Sequence, residues 1–219
     1  LSNGTDAYIS TGSIILQEIS YEYNGDATNL AKFTFHEGKI KAESAAAVNG
    51  TIRDVFAINE QEGFLRVLTT SMDHSSGQEK NNLYILEEDL SLAGCIEGMA
   101  PGESIYSARF MGDTGYFVTY RNTDPLFSVD LSDPYQPRVI GELKVTGFSE
   151  YLHFWGDDQL LGIGYETDPE TGRTQGLKLS MFDISDPANM KEVNKYVLED
   201  FSYSPALYNY KSEIGRASC

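Results

Sequence analysis

A chain of 219 residues with 41% hydrophobic and 22% charged residues has an ordinary globular mix, which excludes extended disorder and leaves room for one large domain. Its formal charge of −17, from 33 acidic against 16 basic residues, repels phosphate backbones and anionic lipid surfaces, so nucleic acid is excluded as an expected partner. No stretch approaches the roughly 20 apolar residues of a transmembrane helix; the best run, Ile14 to Ile19, is broken by Gln17 and Glu18.

In chain order, short apolar runs sit between Gly, Asn, Asp and Pro, the pattern of many short strands. A partial unit comes first, with strands Asn29 to Phe35 and Lys39 to Ala45 around the turn His36-Glu37-Gly38. The Ala-rich patch Ala42 to Val48 is too short for a helix and is bounded by the turn signal Asn49-Gly50. A looser unit predicts strands Ile52 to Ile58, Phe64 to Thr69, Leu83 to Leu86 and Leu92 to Ile96, with a long loop Ser71 to Asn81. The next predicts Ile105 to Phe110, Tyr116 to Tyr120, Leu126 to Asp130 and Val139 to Val145, with a loop Arg121 to Asp124 and a turn Ser132-Asp133-Pro134. Another copies its order: Tyr151 to Trp155, Leu160 to Tyr165, Leu177 to Asp183 and Glu192 to Leu198, with a loop Glu166 to Gly176 and a turn Ser185-Asp186-Pro187. A further strand is expected near Pro205 to Tyr210.

Four strands repeated at about 43 to 53 residues match a propeller blade. A lone meander leaves both faces apolar, and stacking blades buries them, so second strands such as Tyr116-Phe117-Val118 and Leu160 to Ile163 are expected to be buried on both sides. A β-sandwich needs no such repeat. The expected fold is therefore all-β, a β-propeller fragment of about four four-stranded blades in an incomplete ring. Blades are placed at about 1–50, 51–104, 105–150 and 151–204, with the next starting at 205–213.

The chain begins at Leu1 rather than Met, so truncation is expected and no signal peptide is visible. The ending Ile214-Gly215-Arg216-Ala217-Ser218-Cys219 leaves the β pattern and matches the translation of a common sequencing adapter; residues 214–219 are expected to be non-native. Cys95 and Cys219 make no disulfide framework. An open arc exposes apolar faces and strand edges, so residues 1–213 alone are expected to aggregate.

The stretches Ile105 to Asp113 and Asp124 to Pro134 resemble the bacterial secreted proteins with a C-terminal β-propeller distantly related to WD40 repeats. So do Gly141-Glu142-Leu143-Lys144, Gly176 to Ser180, Phe182 to Pro187, Tyr196-Val197 and Tyr203-Ser204. Residues 1–49 match more weakly. The resemblance implies an exported protein, extracellular or at the cell surface, with a signal or anchor upstream. It implies no enzyme and transfers no catalytic residue.

Asp130-Leu131-Ser132-Asp133-Pro134 and Asp183-Ile184-Ser185-Asp186-Pro187 read as turns, since Pro presets φ and Asp and Ser bond the local backbone; a cation site is the weaker reading. His36, His74 and His153 have no second ligand at zinc spacing, so no metal is expected. No nucleophile elbow, P-loop or EF-hand loop is present, and no cofactor is expected. The acidic pairs Glu87-Glu88 and Asp157-Asp158 read as solvated surface. By topology, the connections from second to third strands and those between blades share one face, and long loops on a rigid scaffold carry binding. The candidate ligand-binding residues there are Arg121, Asn122, Asp124, Glu166 and Arg173; Tyr106, Arg109 and His153 lie on inner strands toward a central channel, with a packing role the stronger reading for His153. The function expected is a non-catalytic binding module for an unknown protein, peptide or glycan. The alternative is a hydrolase with carboxylates at the channel mouth.

Overall fold

β-branched and aromatic runs punctuated by Gly, Asn and Asp fold into sixteen strands in the computed structural model, which describes residues 5–22, 25–73, 75–120, 124–168, 170–201 and 203–207. They form four four-stranded antiparallel sheets, each a meander in sequence order, as in the blades of a β-propeller. The first holds β1 (Thr5–Ile9), β2 (Ser13–Glu22), β3 (Gly25–His36) and β4 (Lys39–Asn49). The second holds β5 (Ile58–Gln61), β6 (Phe64–Asp73), β7 (Gln78–Leu86) and β8 (Leu92–Met99). The third holds β9 (Ser104–Met111), β10 (Thr114–Tyr120), β11 (Asp124–Asp130) and β12 (Arg138–Val145). The fourth holds β13 (Phe148–Phe154), β14 (Gln159–Thr167), β15 (Thr174–Asp183) and β16 (Lys191–Leu198). The chain separates into two compact units: Leu1–Ile105 with Phe110–Asp113 and Asp130–Arg138, and Tyr106–Arg109 with Thr114–Val129 and Val139–Cys219.

In the first unit the period of two sends Ile15, Leu30 and Val48 to one face of the first sheet. There they meet Ile58, Leu65, Val67, Tyr84, Leu86 and Leu90 of the second. Burying each such aliphatic side chain contributes about 1.5–3 kcal/mol. The expectation that second strands are buried on both sides holds at β6 and β10, where Leu65 to Thr69 and Gly115 to Thr119 are enclosed. At β14, Leu160 is buried while Leu161 and Ile163 on the other face are only half-buried.

The Ser-Asp-Pro repeats are turns, and their geometry is shared. Asp130 Oδ1 accepts from the Ser132 amide at 3.0 Å and hydroxyl at 2.6 Å, and Asp183 Oδ1 accepts from Ser185 at the same two distances. Asp89 with Ser91 and Asp73 with Ser75 repeat the clip at 2.9 and 2.6 Å. The serine donors hold Asp89, Asp130 and Asp183 below the ordinary carboxylate range, Asp130 at about 2; at Asp73 the Lys80 ammonium leads and Ser75 adds. The next residue, Leu131 or Ile184, donates its amide at 2.8 Å to the carbonyl of Asp113 or Asp158, tying the turn back to its own sheet. Each turn also seats on a glycine of the preceding sheet. A Cβ at Gly94 stands 2.4 Å from the Pro134 carbonyl, and one at Gly141 stands 2.4 Å from the Pro187 carbonyl. Ser128 Oγ donates to that Pro187 carbonyl at 2.6 Å.

Several expectations need correction. The partial repeat expected at the start of the chain is a complete sheet, because residues 5–22 supply β1 and β2 and the Ala-rich patch belongs to β4. Ile52 precedes β5: Asp54 accepts from the Phe56 amide at 2.8 Å and bends the chain before Ile58. The loop Ser71 to Asn81 is mostly strand, and strands take both ends of the loop Glu166 to Gly176. β6 and β7 run to Asp73 and Gln78, where the Asp73 clip and the 2.6 Å Lys80–Asp73 ion pair close the hairpin. β14 reaches Thr167, and Asp168 Oδ1 gathers the amides of Glu170 and Thr171 at 3.0 and 2.8 Å. Pro205–Leu207 is a 3-10 turn rather than a strand; residues 208–210 of that expectation lie outside the described ones.

Candidate functional site

In the second unit, β9 and β13 carry three of the predicted residues, Tyr106, Arg109 and His153, of which Arg109 and His153 meet at the Tyr151 ring. Ser107 Oγ donates to the Ser149 carbonyl at 2.7 Å, which fixes the two strands beside each other. Tyr106 packs edge-on against Tyr120 and Phe148, with ring centroids 5.4 and 5.1 Å away. Phe148 stacks on Tyr120 at 4.3 Å and reaches Tyr165 at 5.5 Å. A bulge between Ser149 and Tyr151 re-aims β13, and the period of two then puts Tyr151 and His153 on one side, their rings 6.4 Å apart. The Arg109 guanidinium lies 4.4 Å over the Tyr151 ring and donates to the Ala108 carbonyl at 2.7 Å. The inner strands thus carry an aromatic group around Phe148, which takes in Tyr106, and a second group in which Tyr151 lies between Arg109 and His153.

Glu166 anchors a second feature, at the edge where β14 and β15 are joined. It is 6% exposed, and its carboxylate lies 3.0 Å from Lys195 Nζ. Lys195 also donates to Thr146 Oγ1 at 3.0 Å, and the fully buried Lys178 donates to the Thr146 carbonyl. Two lysines therefore clamp the connection from β12 to β13. Gly147 makes this possible: its φ is +69°, and a Cβ there stands 2.1 Å from the Tyr165 carbonyl. Glu166, Gln175, Lys195, Val197 and Glu199 line a cleft of about 540 Å³.

Arg173 is exposed in the turn before β15 and does not line this cleft. Asp124 opens β11; Arg121 and Asn122 lie outside the described residues. Sequence reasoning missed Thr146, Lys178 and Lys195. The signal for Lys178 was present, since a lysine at a core position of the run Leu177 to Phe182 calls for a dedicated partner. Of the histidines, His36 is exposed beside Glu37 and His74 lies outside the described residues. Among the described residues, no three His, Cys, Asp or Glu side chains form a group that can hold a metal ion, and no helix is long and apolar enough to cross a membrane.

Two curated relatives are archaeal: an uncharacterized protein of Methanocaldococcus jannaschii, 44% identical over 192 residues, and one of Archaeoglobus fulgidus, 40% identical over 185. The alignments cover 87% and 84% of this chain but only 28% and 27% of those relatives, so the chain spans little more than a quarter of their length. The resemblance read in the sequence pointed to bacteria; these relatives do not carry that source. Among solved structures, the chain is similar in fold to a subtype N10 neuraminidase-like protein from a little yellow-shouldered bat isolate. The TM-score is 0.52 at 9% identity, covering 90% of this chain and 68% of that one. The profile of the β-propeller domain family matches residues 1–213, nearly the whole chain. With four sequential four-stranded meanders and this match, the chain belongs to the β-propeller domain family.

Proposed function

We propose that the chain is part of a non-catalytic binding module that engages a protein, peptide or glycan at the edge carrying the connections from second to third strands and between sheets. The observation that supports this most is the cleft of about 540 Å³ beside Glu166. It offers a buried carboxylate, an ammonium, an amide and an apolar wall from Val197 on a rigid sheet. That combination of mostly fixed walls and a few convergent polar groups suits recognition. Arg109, Tyr106 and His153, together with Arg121, Asn122, Asp124 and Arg173, extend the proposed contact set toward the inner strands and neighbouring connections. A module of this kind on an exported protein agrees with the resemblance of Ile105 to Pro187 to secreted propeller proteins, and the acidic composition favours a partner without dense negative charge.

Selection of binders from a peptide display library on the immobilised chain tests the reading. Selected peptides are expected to lose about tenfold in affinity with Glu166→Gln or Lys195→Met, the size of one lost charge-assisted hydrogen bond. Peptides that bind both variants as tightly as the parent chain overturn it. Export is tested by protease treatment of intact cells of the source organism: digestion of the protein supports a surface location, and protection until lysis removes it.

A further inference from the structure

In the first unit, at the end of the sheets where first strands turn into second strands, the turn joining β1 to β2 faces the turn joining β5 to β6. Between them is a crevice of about 290 Å³ lined by Ser10, Gly12, Ser13, Lys32, Thr34 and Glu60, with further polar residues at its rim. Its walls are built by register. Ser13 pairs with Thr34 across β2 and β3, and Lys32, two residues on, faces the same side. Glu60 comes from β5, whose backbone is fixed by the Glu60 amide donating to the Tyr8 hydroxyl at 3.2 Å.

The two oxygens of Glu60 are used unequally. Oε2 accepts from Ser10 Oγ at 2.6 Å and Ser13 Oγ at 2.7 Å. Oε1 has the Lys32 ammonium at 3.4 Å, an ion pair rather than a hydrogen bond of ordinary length. Burial pushes the Glu60 carboxyl up, but the two serine hydroxyls and the Lys32 charge outweigh it and hold the group below its usual range. Lys32 is 6% exposed. Ser44, directly opposite it across β3 and β4, has an enclosed hydroxyl that bonds to nothing, so the ammonium does not turn that way. A lysine buried this deeply ordinarily directs its donors to close acceptors, because desolvating an ammonium without hydrogen bonds is costly. Here the ammonium and Glu60 Oε1 stand side by side in the crevice, one a donor and the other an acceptor.

A hydroxyl group, which accepts and donates, complements that pair. An anion meets Glu60, with Glu62 and Glu88 also lining the crevice; a cation meets Lys32. The volume lies at the lower end of ligand pockets, which limits the guest to about one ring. We propose that this crevice binds a neutral hydroxylated ligand of monosaccharide size, with Lys32 donating to its hydroxyls and Glu60 accepting from them. The proposal is independent of the binding edge at Glu166.

The test is calorimetric titration of the chain with glucose, galactose, mannose and myo-inositol, with sulfate and arginine as charged probes. At least one neutral probe is expected to bind with unit stoichiometry and to lose at least tenfold in affinity with Lys32→Met. Gly12→Trp is the second variant: a Cβ at Gly12 has nothing within 4 Å, so the indole covers the crevice without disturbing the fold, and binding is expected to vanish. Glu166→Gln is expected to leave it unchanged. If none of the four neutral probes binds, if sulfate or arginine binds there instead, or if a bound neutral probe is indifferent to Gly12→Trp, the assignment is overturned.

Discussion

The first sheet and the fourth reach the same four-stranded meander through different turn chemistry. β3 and β4 are joined by Glu37 and Gly38, both at positive φ of 50° and 73°, a two-residue connection whose twist suits a hairpin. β15 and β16 are joined by the Asp183 clip on Ser185, followed by the 3-10 turn Pro187–Asn189, which Asp186 caps by accepting from the Ala188 amide at 3.1 Å. The first turn asks little of its side chains beyond a glycine. The second needs Asp, Ser, Asp and Pro in fixed order, and it adds a task the first lacks, since its Pro187 carbonyl fills the space over Gly141. The two turns seen to pack on a glycine of the preceding sheet, at Pro134 and Pro187, carry the same residue order.

The largest expected effect falls on that packing. Gly141→Ala drives a methyl into the Pro187 carbonyl and the Ser128 hydroxyl, and should cost about 3 kcal/mol in urea unfolding. A loss near zero would mean the turn gives way freely and the contrast between the two sheets fails. Gly38→Ala on the hairpin of the first sheet meets open space and only a φ of +73°, so the loss should be about 1 kcal/mol. Equal losses at the two glycines would dissolve the comparison.

Acid unfolding sharpens it further. Asp130 has a folded value of about 2 against an ordinary 3.8, so its contribution is fully present above pH 3.8 and is lost as pH falls through about 2. Asp130→Asn should flatten the stability curve in that window, by less than about 1 kcal/mol because the pair is partly solvated. A curve unchanged in slope would show that the clip is not what titrates there. The smallest effect belongs to Arg138→Ala, which removes the 2.8 Å pair with Asp130 while leaving the Ser132 clip. Arg138 is 72% exposed in its side chain, so the change should stay within about 0.5 kcal/mol. A loss of several times that size would make the ion pair, rather than the clip, the element that holds this turn.

The same contrast explains what was legible in the sequence. The third and fourth sheets were readable because Asp130 to Pro134 and Asp183 to Pro187 mark the same step in each. The first sheet was half missed because its third and fourth strands are joined by the Glu37-Gly38 hairpin, a pair seen again at Glu62-Gly63 but there between the first and second strands of the second sheet, and because β1 and β2 carry no clip. The strand extensions through Ser71 to Asp73 and Glu166 to Thr167 looked like loops because polar residues dominate them, yet their backbone ladders continue to Gln78 and Thr174. At the proposed edge, Glu166 could be named from its place beside a turn. Lys195 and Thr146 could not, since they meet it only through the pairing of β15 with β16 and the tight passage at Gly147.

The central claim is that recognition takes place at the edge where Glu166 and Lys195 stand. The most direct measurement is hydrogen-exchange footprinting of the chain with and without a display-selected peptide. The account predicts slowed exchange at residues 170–176 and 195–199, with no change around Ser10 to Ser13 and Glu62-Gly63. Protection confined to those turns of the first unit would contradict it.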